Sequence, residues 1–247
     1  MLDFIESVTQ AETIEELWAI HCDAMATFGF PRLLYGLTQS RTRGNFGPRD
    51  DFLILTNLDE SYTKPFVDEG LYLRAPMVRW AAENTGACSW SWIANNPDAL
   101  TAEEQKIVGF NLEHGVKAGY TISFRDISAR SIGAIALIAE PDNDQQAVDE
   151  VWDRTGREII AMNNVVHLKI MNLPYAVARK TLTPRQREAL EWVGDGKTTQ
   201  DIATIMGLTP ATVEKHLRLA REALDVETTA QAVLKAAFQN QIFLLRA

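Results

Sequence analysis

The N-terminal two thirds of the chain mix two hydrophobic spacings, one typical of helices and one typical of strands. Apolar residues that recur every three or four positions predict helices at residues 2–9, 13–28, 59–69, 76–83, 101–114 and 145–171. Short alternating or continuous apolar runs predict strands at residues 32–37, 51–56, 120–125 and 132–139. Two capping boxes support the helix starts, Thr13 with Glu16 and Thr101 with Glu104.

The order of these elements indicates the fold class. Strands follow one another as hairpins and do not alternate singly with helices, as they would in a parallel sheet. We therefore predict an α+β protein whose N-terminal domain, residues 1–172, is an α/β/α sandwich with an antiparallel sheet. Pro174 disfavours helix in the residue before it, so we predict a linker at residues 173–181 and an all-α, four-helix domain at 182–247.

The C-terminal segment predicts three short helices with strong start and stop signals. Thr183 and Thr209 each precede a proline at the first helical position, and Gly207 ends the middle helix at a position that favours positive φ. The predicted inner faces, in helix order, are Ala189, Leu190 and Val193; Ile202, Ala203 and Ile205; and Val213, Leu217, Ala220 and Leu224. This pattern is typical of a helix-turn-helix, whose recognition helix enters the major groove of double-stranded DNA.

Polar residues on the opposite surface of these helices predict where DNA binds. The candidate contacts are Lys197, Thr198, Thr209, Thr212, Lys215, His216 and Arg218. The two lysines would neutralise phosphates, although either could also be an ordinary solvated side chain. His216 is equally well interpreted as a packing residue.

Charge is distributed unevenly between the two domains. The chain has a net charge of −9, yet residues 175–247 contain ten Lys/Arg against eight Asp/Glu. The acidity therefore belongs to the N-terminal domain, and a local basic face is sufficient for phosphate binding. No basic leader or long uncharged apolar run occurs, so we expect a cytoplasmic protein without membrane contact.

Catalytic and metal-binding patterns are absent from the sequence. There is no Ser/His/Asp or G-x-S-x-G arrangement, and the four histidines lack metal-ligand spacing. Cys22 and Cys88 predict buried free thiols. We therefore predict no catalytic residue, no metal and no cofactor, and an enzyme acting on a small ligand is the weaker alternative.

Residues 182–185, 196–198, 202–203 and 212–217 closely resemble the LuxR-type helix-turn-helix, with residues 228–240 as its fourth helix. Gln186 departs from the usual Glu of that family but can still accept hydrogen bonds. In the N-terminal domain the landmarks of the acyl-homoserine-lactone sensor domain are matched by Gly70 to Pro76, Trp90, Gly115 and Gly119. The resemblance implies a quorum-sensing transcription regulator that binds DNA as a homodimer, with the long helix before Leu173 and the last helix as candidate dimer surfaces.

The polar residues with which that family contacts its lactone have changed in this sequence. Ala75 stands where the family carries an Asp that accepts from the acyl-amide N–H. Tyr62 replaces a Trp that donates to the lactone carbonyl, Phe66 replaces a Tyr, and Leu58 falls where many members have a second Tyr. At about 1–3 kcal/mol per lost bond, two or three losses would weaken lactone binding by roughly 10²–10⁴-fold.

Three hypotheses for the sensor domain follow. We favour a small apolar ligand that lacks the amide donor, in a pocket lined by Leu58, Tyr62, Phe66, Tyr72, Ala75, Val78 and Trp90. A homoserine lactone in an altered pose, or a pocket filled by side chains in a ligand-independent regulator, remain alternatives. A further alternative is an antagonist whose helix-turn-helix contacts another regulator.

Overall fold

A computed structural model describes residues 1–39, 41, 46, 49–125, 128, 130–174 and 182–243. The chain divides into two compact units, Met1–Met171 and Asn172–Ala247. Of the predicted linker, residues 175–181 lie outside the described part of the chain.

The first unit contains a single antiparallel sheet. Its strands are β1 (Arg32–Thr38), β2 (Leu53–Thr56), β3 (Gly86–Ser89), β4 (Gly119–Ser123) and β5 (Ile132–Ile138). They lie in the order β2-β1-β5-β4-β3, with every neighbouring pair antiparallel. The predicted antiparallel sheet is confirmed, but β3 was not predicted. Its four residues, Gly-Ala-Cys-Ser, are all half-buried at the sheet edge and show no alternation.

Seven helices accompany this sheet in the described part of the first unit. They are α1 (Leu2–Gln10), α2 (Ile14–Thr27), α3 (Glu60–Thr63), α4 (Pro76–Glu83), α5 (Ser91–Asn95), α6 (Ala102–Glu113) and α7 (Gln145–Asn172). The helix predicted at residues 59–69 is instead α3 followed by a π-helical turn, Lys64–Asp68. Pro65 explains the change, because it has no N–H with which to continue the α-helical ladder.

Helices cover both faces of the sheet. On one face the Tyr35 hydroxyl of β1 forms a hydrogen bond of 2.8 Å with Nδ1 of His167 in α7. On the other, Ile138 of β5 belongs to a buried cluster with Tyr62 and Phe66. The predicted α/β/α sandwich is therefore confirmed.

The two predicted capping boxes differ in detail. At α6 the box is complete, since Thr101 accepts from the Glu104 N–H and Glu104 accepts from the Thr101 N–H. At α2, Thr13 accepts from the Glu16 N–H, but the Glu16 carboxylate accepts from the N–H of Glu12. The cap thus reaches one residue further back than predicted.

The second unit consists of α8 (Pro184–Gly194), α9 (Thr199–Met206), α10 (Pro210–Leu224) and α11 (Thr229–Phe238). All four predicted inner-face residues of α10 are buried, and Gly207 ends α9 with a φ of +64°. The prediction for Ile205 is wrong, since it is exposed and Met206 is buried instead. At about 100° per residue, Met206 falls between Ile202 and Ala203 on the helix, whereas Ile205 lies well to one side.

Candidate functional site

A cavity of about 510 Å³ lies in the first unit, against the sheet face opposite His167. Residues from β1, β2, β4 and β5 line one side, and residues from α3 to α6 line the other. The lining is mainly aliphatic and aromatic. A volume of this size matches the typical range for small-molecule pockets, roughly 300–1,000 Å³.

Small residues in the centre of the sheet leave room for the cavity. Gly36 of β1 lies opposite Ala134 of β5, and Leu34 lies opposite Ala136. Their neighbours Tyr35 and Ile135 point to the other face, because successive side chains alternate across a strand. Both are fully buried there. Two adjacent cross-strand pairs thus place three residues of minimal size on the cavity side.

Tyr62 is buried in an aromatic group beside the cavity. Its ring stacks on Phe66 at 5.0 Å and on Phe110 at 5.5 Å between centroids. The hydroxyl donates a hydrogen bond of 3.0 Å to Oδ1 of Asn111 in α6. Burial raises the pKa of this hydroxyl well above its usual range, although the nearby Arg32 guanidinium lowers it in part. Tyr62 is therefore a neutral donor whose hydroxyl proton is already used in the hydrogen bond to Asn111.

Trp90 is fixed through both its side chain and its backbone. The indole Nε1 donates to Thr121 Oγ1 at 2.9 Å, and the backbone N–H donates to the Gly119 carbonyl at 3.1 Å. Replacing Gly119 by any other residue would displace the backbone, because a Cβ there would lie 2.2 Å from the Leu137 carbonyl oxygen. The indole N–H of Trp90 is thus already used in a hydrogen bond to Thr121.

Ala75 is 4% exposed and lines the cavity. It is the N-cap residue of α4, ahead of Pro76 at the first helical position, and makes no side-chain cap. A methyl group therefore occupies a place where a polar side chain could both cap a helix and contact a ligand.

Six of the seven predicted pocket residues line the cavity, namely Tyr62, Phe66, Tyr72, Ala75, Val78 and Trp90. Leu58 does not, although it packs against the same buried cluster as Tyr62. Among the polar lining residues, sequence reasoning missed Asn111, Lys117, Thr121 and Gln145. Nothing in their spacing relates them to Tyr62, because they reach the cavity through helix ends and the far strands of the sheet.

Gln145, at the start of α7, is engaged on both sides of its amide. Its Oε1 accepts from the Gly119 N–H at 2.9 Å, and its Nε2 donates to Asp149 Oδ1 at 2.9 Å. The same carboxylate oxygen accepts from Ser89 and Tyr120 at 2.7 and 2.8 Å. This network ties α7 to β3 and β4 at one end of the cavity.

The second unit presents the predicted DNA-contacting residues in two groups. Exposed side chains are Lys197, Thr198, Thr209, Lys215 and Arg218, whereas Thr212 and His216 are half-buried. Thr198 and Thr209 act as N-caps of α9 and α10, and Arg218 pairs with Glu222. Gln186 accepts from the Thr183 N–H at 2.8 Å, as predicted from its capacity to accept hydrogen bonds.

The described residues contain no group of three or more His, Cys, Asp or Glu side chains that could bind a metal ion. Cys22 and Cys88 are free thiols, as predicted, but they are half-buried and not buried. No helix in the described part of the chain has the length and apolar character needed to cross a membrane.

Comparison with protein families gives two matches. Residues 13–170 match the family model of the autoinducer binding domain. Residues 179–224 match that of sigma-70, region 4.

Among curated relatives, AnoR of Acinetobacter nosocomialis, described as a transcriptional activator protein, is 24% identical over 95% of each chain. RpaR of Rhodopseudomonas palustris, described as a quorum sensing-dependent transcriptional regulator, is 27% identical over 95% of this chain and 91% of its own.

Solved structures show the same fold. Escherichia coli SdiA matches with a TM-score of 0.54 at 17% identity, covering 98% of each chain. A structure of SdiA in complex with octanoyl-rac-glycerol matches with a TM-score of 0.54 at 15% identity, covering 99% of this chain and 96% of that one.

Proposed function

This chain belongs to the autoinducer-binding-domain family of LuxR-type transcription regulators, and we propose that its sensor domain binds a small apolar ligand other than an ordinary acyl-homoserine lactone. The ligand occupies the cavity beside β1 and β5. The DNA-binding unit reads its operator through α10, and the protein acts as a homodimer.

The state of the polar groups around the cavity carries this proposal. A lactone with an amide-linked acyl chain offers one N–H donor and needs an acceptor for it. At position 75 that acceptor is replaced by a buried methyl group. Tyr62 and Trp90 both donate to protein atoms, at 3.0 and 2.9 Å, and so have no free proton for a carbonyl. Burying the lactone amide would cost about 1–3 kcal/mol for each polar group left unpaired.

The open volume favours a ligand-dependent regulator over one whose pocket is filled by side chains. Ala134 and Ala136 are central sheet residues, yet both are only half-buried because they face the cavity. The complex of SdiA with octanoyl-rac-glycerol supports the chemistry, since an acyl glycerol has no amide N–H.

Mass spectrometry of the full-length chain, purified from cells with and without lactone synthesis, tests the ligand class. We expect a bound compound that is independent of lactone synthesis. Lactone recovered in stoichiometric amount would overturn the proposal. Ala136→Phe is the matched variant, because a benzyl group at this position on the cavity floor takes up space that the ligand needs. It should release the compound while the protein stays folded.

DNA binding by α10 is tested by gel shift on genomic fragments with a salt titration. Neutralised phosphates release counterions, so affinity should fall steeply as salt rises. A slope near zero would instead favour an antagonist that uses its helix-turn-helix for protein contact.

A further inference from the structure

The cavity has one charged residue among the described residues that line it, Lys117. The other polar lining groups are hydroxyls, amides and an indole, and no carboxylate is among them. A lone cation beside an apolar cavity sets a preference for ligands that carry a negative charge.

The backbone around Lys117 is firmly fixed. Val116 and Ala118 on either side are buried. The Val116 N–H donates to the Asn111 carbonyl at 2.8 Å, and the Ala118 carbonyl accepts from the Ala139 N–H at 3.0 Å. The lysine side chain therefore starts from a defined point at the edge of the cavity, while its own exposure leaves the ammonium group in contact with water.

Asn111, on the same wall, is held in one orientation. Its Oδ1 accepts the Tyr62 hydroxyl, so the amide's remaining hydrogen-bonding capacity is the donor group Nδ2. Asn111 and Lys117 both line the cavity. Together they offer donors to a ligand without a competing acid.

We propose that the ligand is an amphiphile with a carboxylate head and an apolar chain, such as a medium-chain fatty acid, and that Lys117 pairs with the carboxylate. The inference rests on the proposed function, because it assumes that a small apolar ligand enters this cavity. The apolar chain lies along the Gly36, Ala134 and Ala136 floor. Asn111 Nδ2 donates to the second carboxylate oxygen.

Isothermal titration of the full-length protein with matched probes tests the head group. The probes are fatty acids from hexanoate to dodecanoate, their methyl esters and the corresponding N-acyl homoserine lactones. Lys117→Met should weaken acid binding roughly fivefold, the scale expected for an exposed ion pair, and leave ester binding unchanged. Lys117→Arg should retain acid binding. Lys106→Met, which removes an exposed lysine of α6 outside the cavity lining, should alter neither.

The possible outcomes separate the two claims. Equal affinity for acids and esters, with no effect of Lys117→Met, overturns the carboxylate inference and leaves the proposed ligand class intact. Tightest binding by the lactones, abolished by Ala136→Phe, overturns the proposed function. Binding by none of the probes overturns the carboxylate inference, whereas the proposed function is decided by mass spectrometry of the purified protein.

Discussion

The Tyr62 hydroxyl donates its hydrogen bond to Asn111 Oδ1 across 3.0 Å, joining α3 to α6 beside the cavity. The resemblance to the LuxR family implies a ligand contact at this position, but here the Tyr62 hydroxyl bonds to another residue that lines the cavity. This bond also orients the Asn111 amide.

Tyr62→Phe tests whether that hydroxyl serves the fold or the ligand. We expect a loss of about 1 kcal/mol in unfolding free energy, because Asn111 loses its partner, and little change in the affinity for the co-purified compound. Chemical denaturation and titration measure the two effects. Tyr72→Phe is the control, since Tyr72 also lines the cavity. A tenfold loss of affinity with unchanged stability would show that the hydroxyl contacts the ligand.

Ala75→Asp should restore one element of lactone recognition. The carboxylate can accept the amide N–H, and lactone should then raise the melting temperature where the native protein shows no response. The same carboxylate can cap α4, worth about 1 kcal/mol without any ligand. Ala75→Asn separates the two effects, because it caps equally well without the charge. A lactone response of equal size in both variants would mean that charge at position 75 is unimportant.

The pattern of apolar residues was sufficient for the layers of the fold but not for the shape of the cavity. Strand spacing identified four of the five strands, because each of these four has an apolar run or alternation with at least one buried residue. β3 escaped detection because a short edge strand with half-buried residues has no periodicity. The π-helical turn escaped because Pro65 acts on hydrogen bonding and leaves the hydrophobic spacing unchanged.

The candidate site could be predicted only where resemblance supplied positions. Tyr62 and Ala75 were found in this way, whereas Asn111 and Lys117 were not. Their proximity to the cavity depends on where α6 ends against the sheet, which is a tertiary property. Leu58 shows the limit of this approach, since it matches a family position and packs against the same buried cluster as Tyr62 but does not line the cavity.

His21 gives a stability that depends on pH. It is fully buried, and its Nε2 donates to Asn163 Oδ1 at 3.0 Å. Burial lowers its pKa to about 4, and the bond to Asn163 opposes this in part. The unfolded state therefore binds more protons than the native state between pH 6.5 and pH 4. The contribution of His21 to the free energy of unfolding is fully present above pH 6.5. It falls as the pH drops towards 4, by roughly 3 kcal/mol in total.

Denaturation of His21→Gln across this range checks the assignment. Glutamine keeps a donor for Asn163 but does not titrate, so the variant should lose the part of the pH dependence that comes from His21. Parallel curves for His21→Gln and the native protein would refute the role of His21.

Lys215→Ala and Thr212→Ala should both weaken operator binding without unfolding the protein. Lys215 is exposed on α10 and would contact phosphate, so its loss should reduce the salt slope by about one. Thr212 shares a hydrogen bond of 2.9 Å with Thr209 at the start of the helix. Circular dichroism verifies the fold, and Lys106→Ala in the first unit is the control. Native affinity in both variants would place the recognition surface elsewhere.

We predict that the protein dimerises through α11, on the basis of two exposed apolar side chains. Leu234 and Phe238 are 50% and 43% exposed, and a separation of four residues places them on one face of the helix. In a symmetric dimer each substitution acts twice, so Leu234→Lys should raise the dissociation constant by at least roughly tenfold. Analytical ultracentrifugation measures the constant. Leu2→Lys, at a more exposed leucine of α1, should leave it unchanged. Equal effects of the two substitutions would argue against α11 and turn attention to the long helix α7, where Leu168 is exposed.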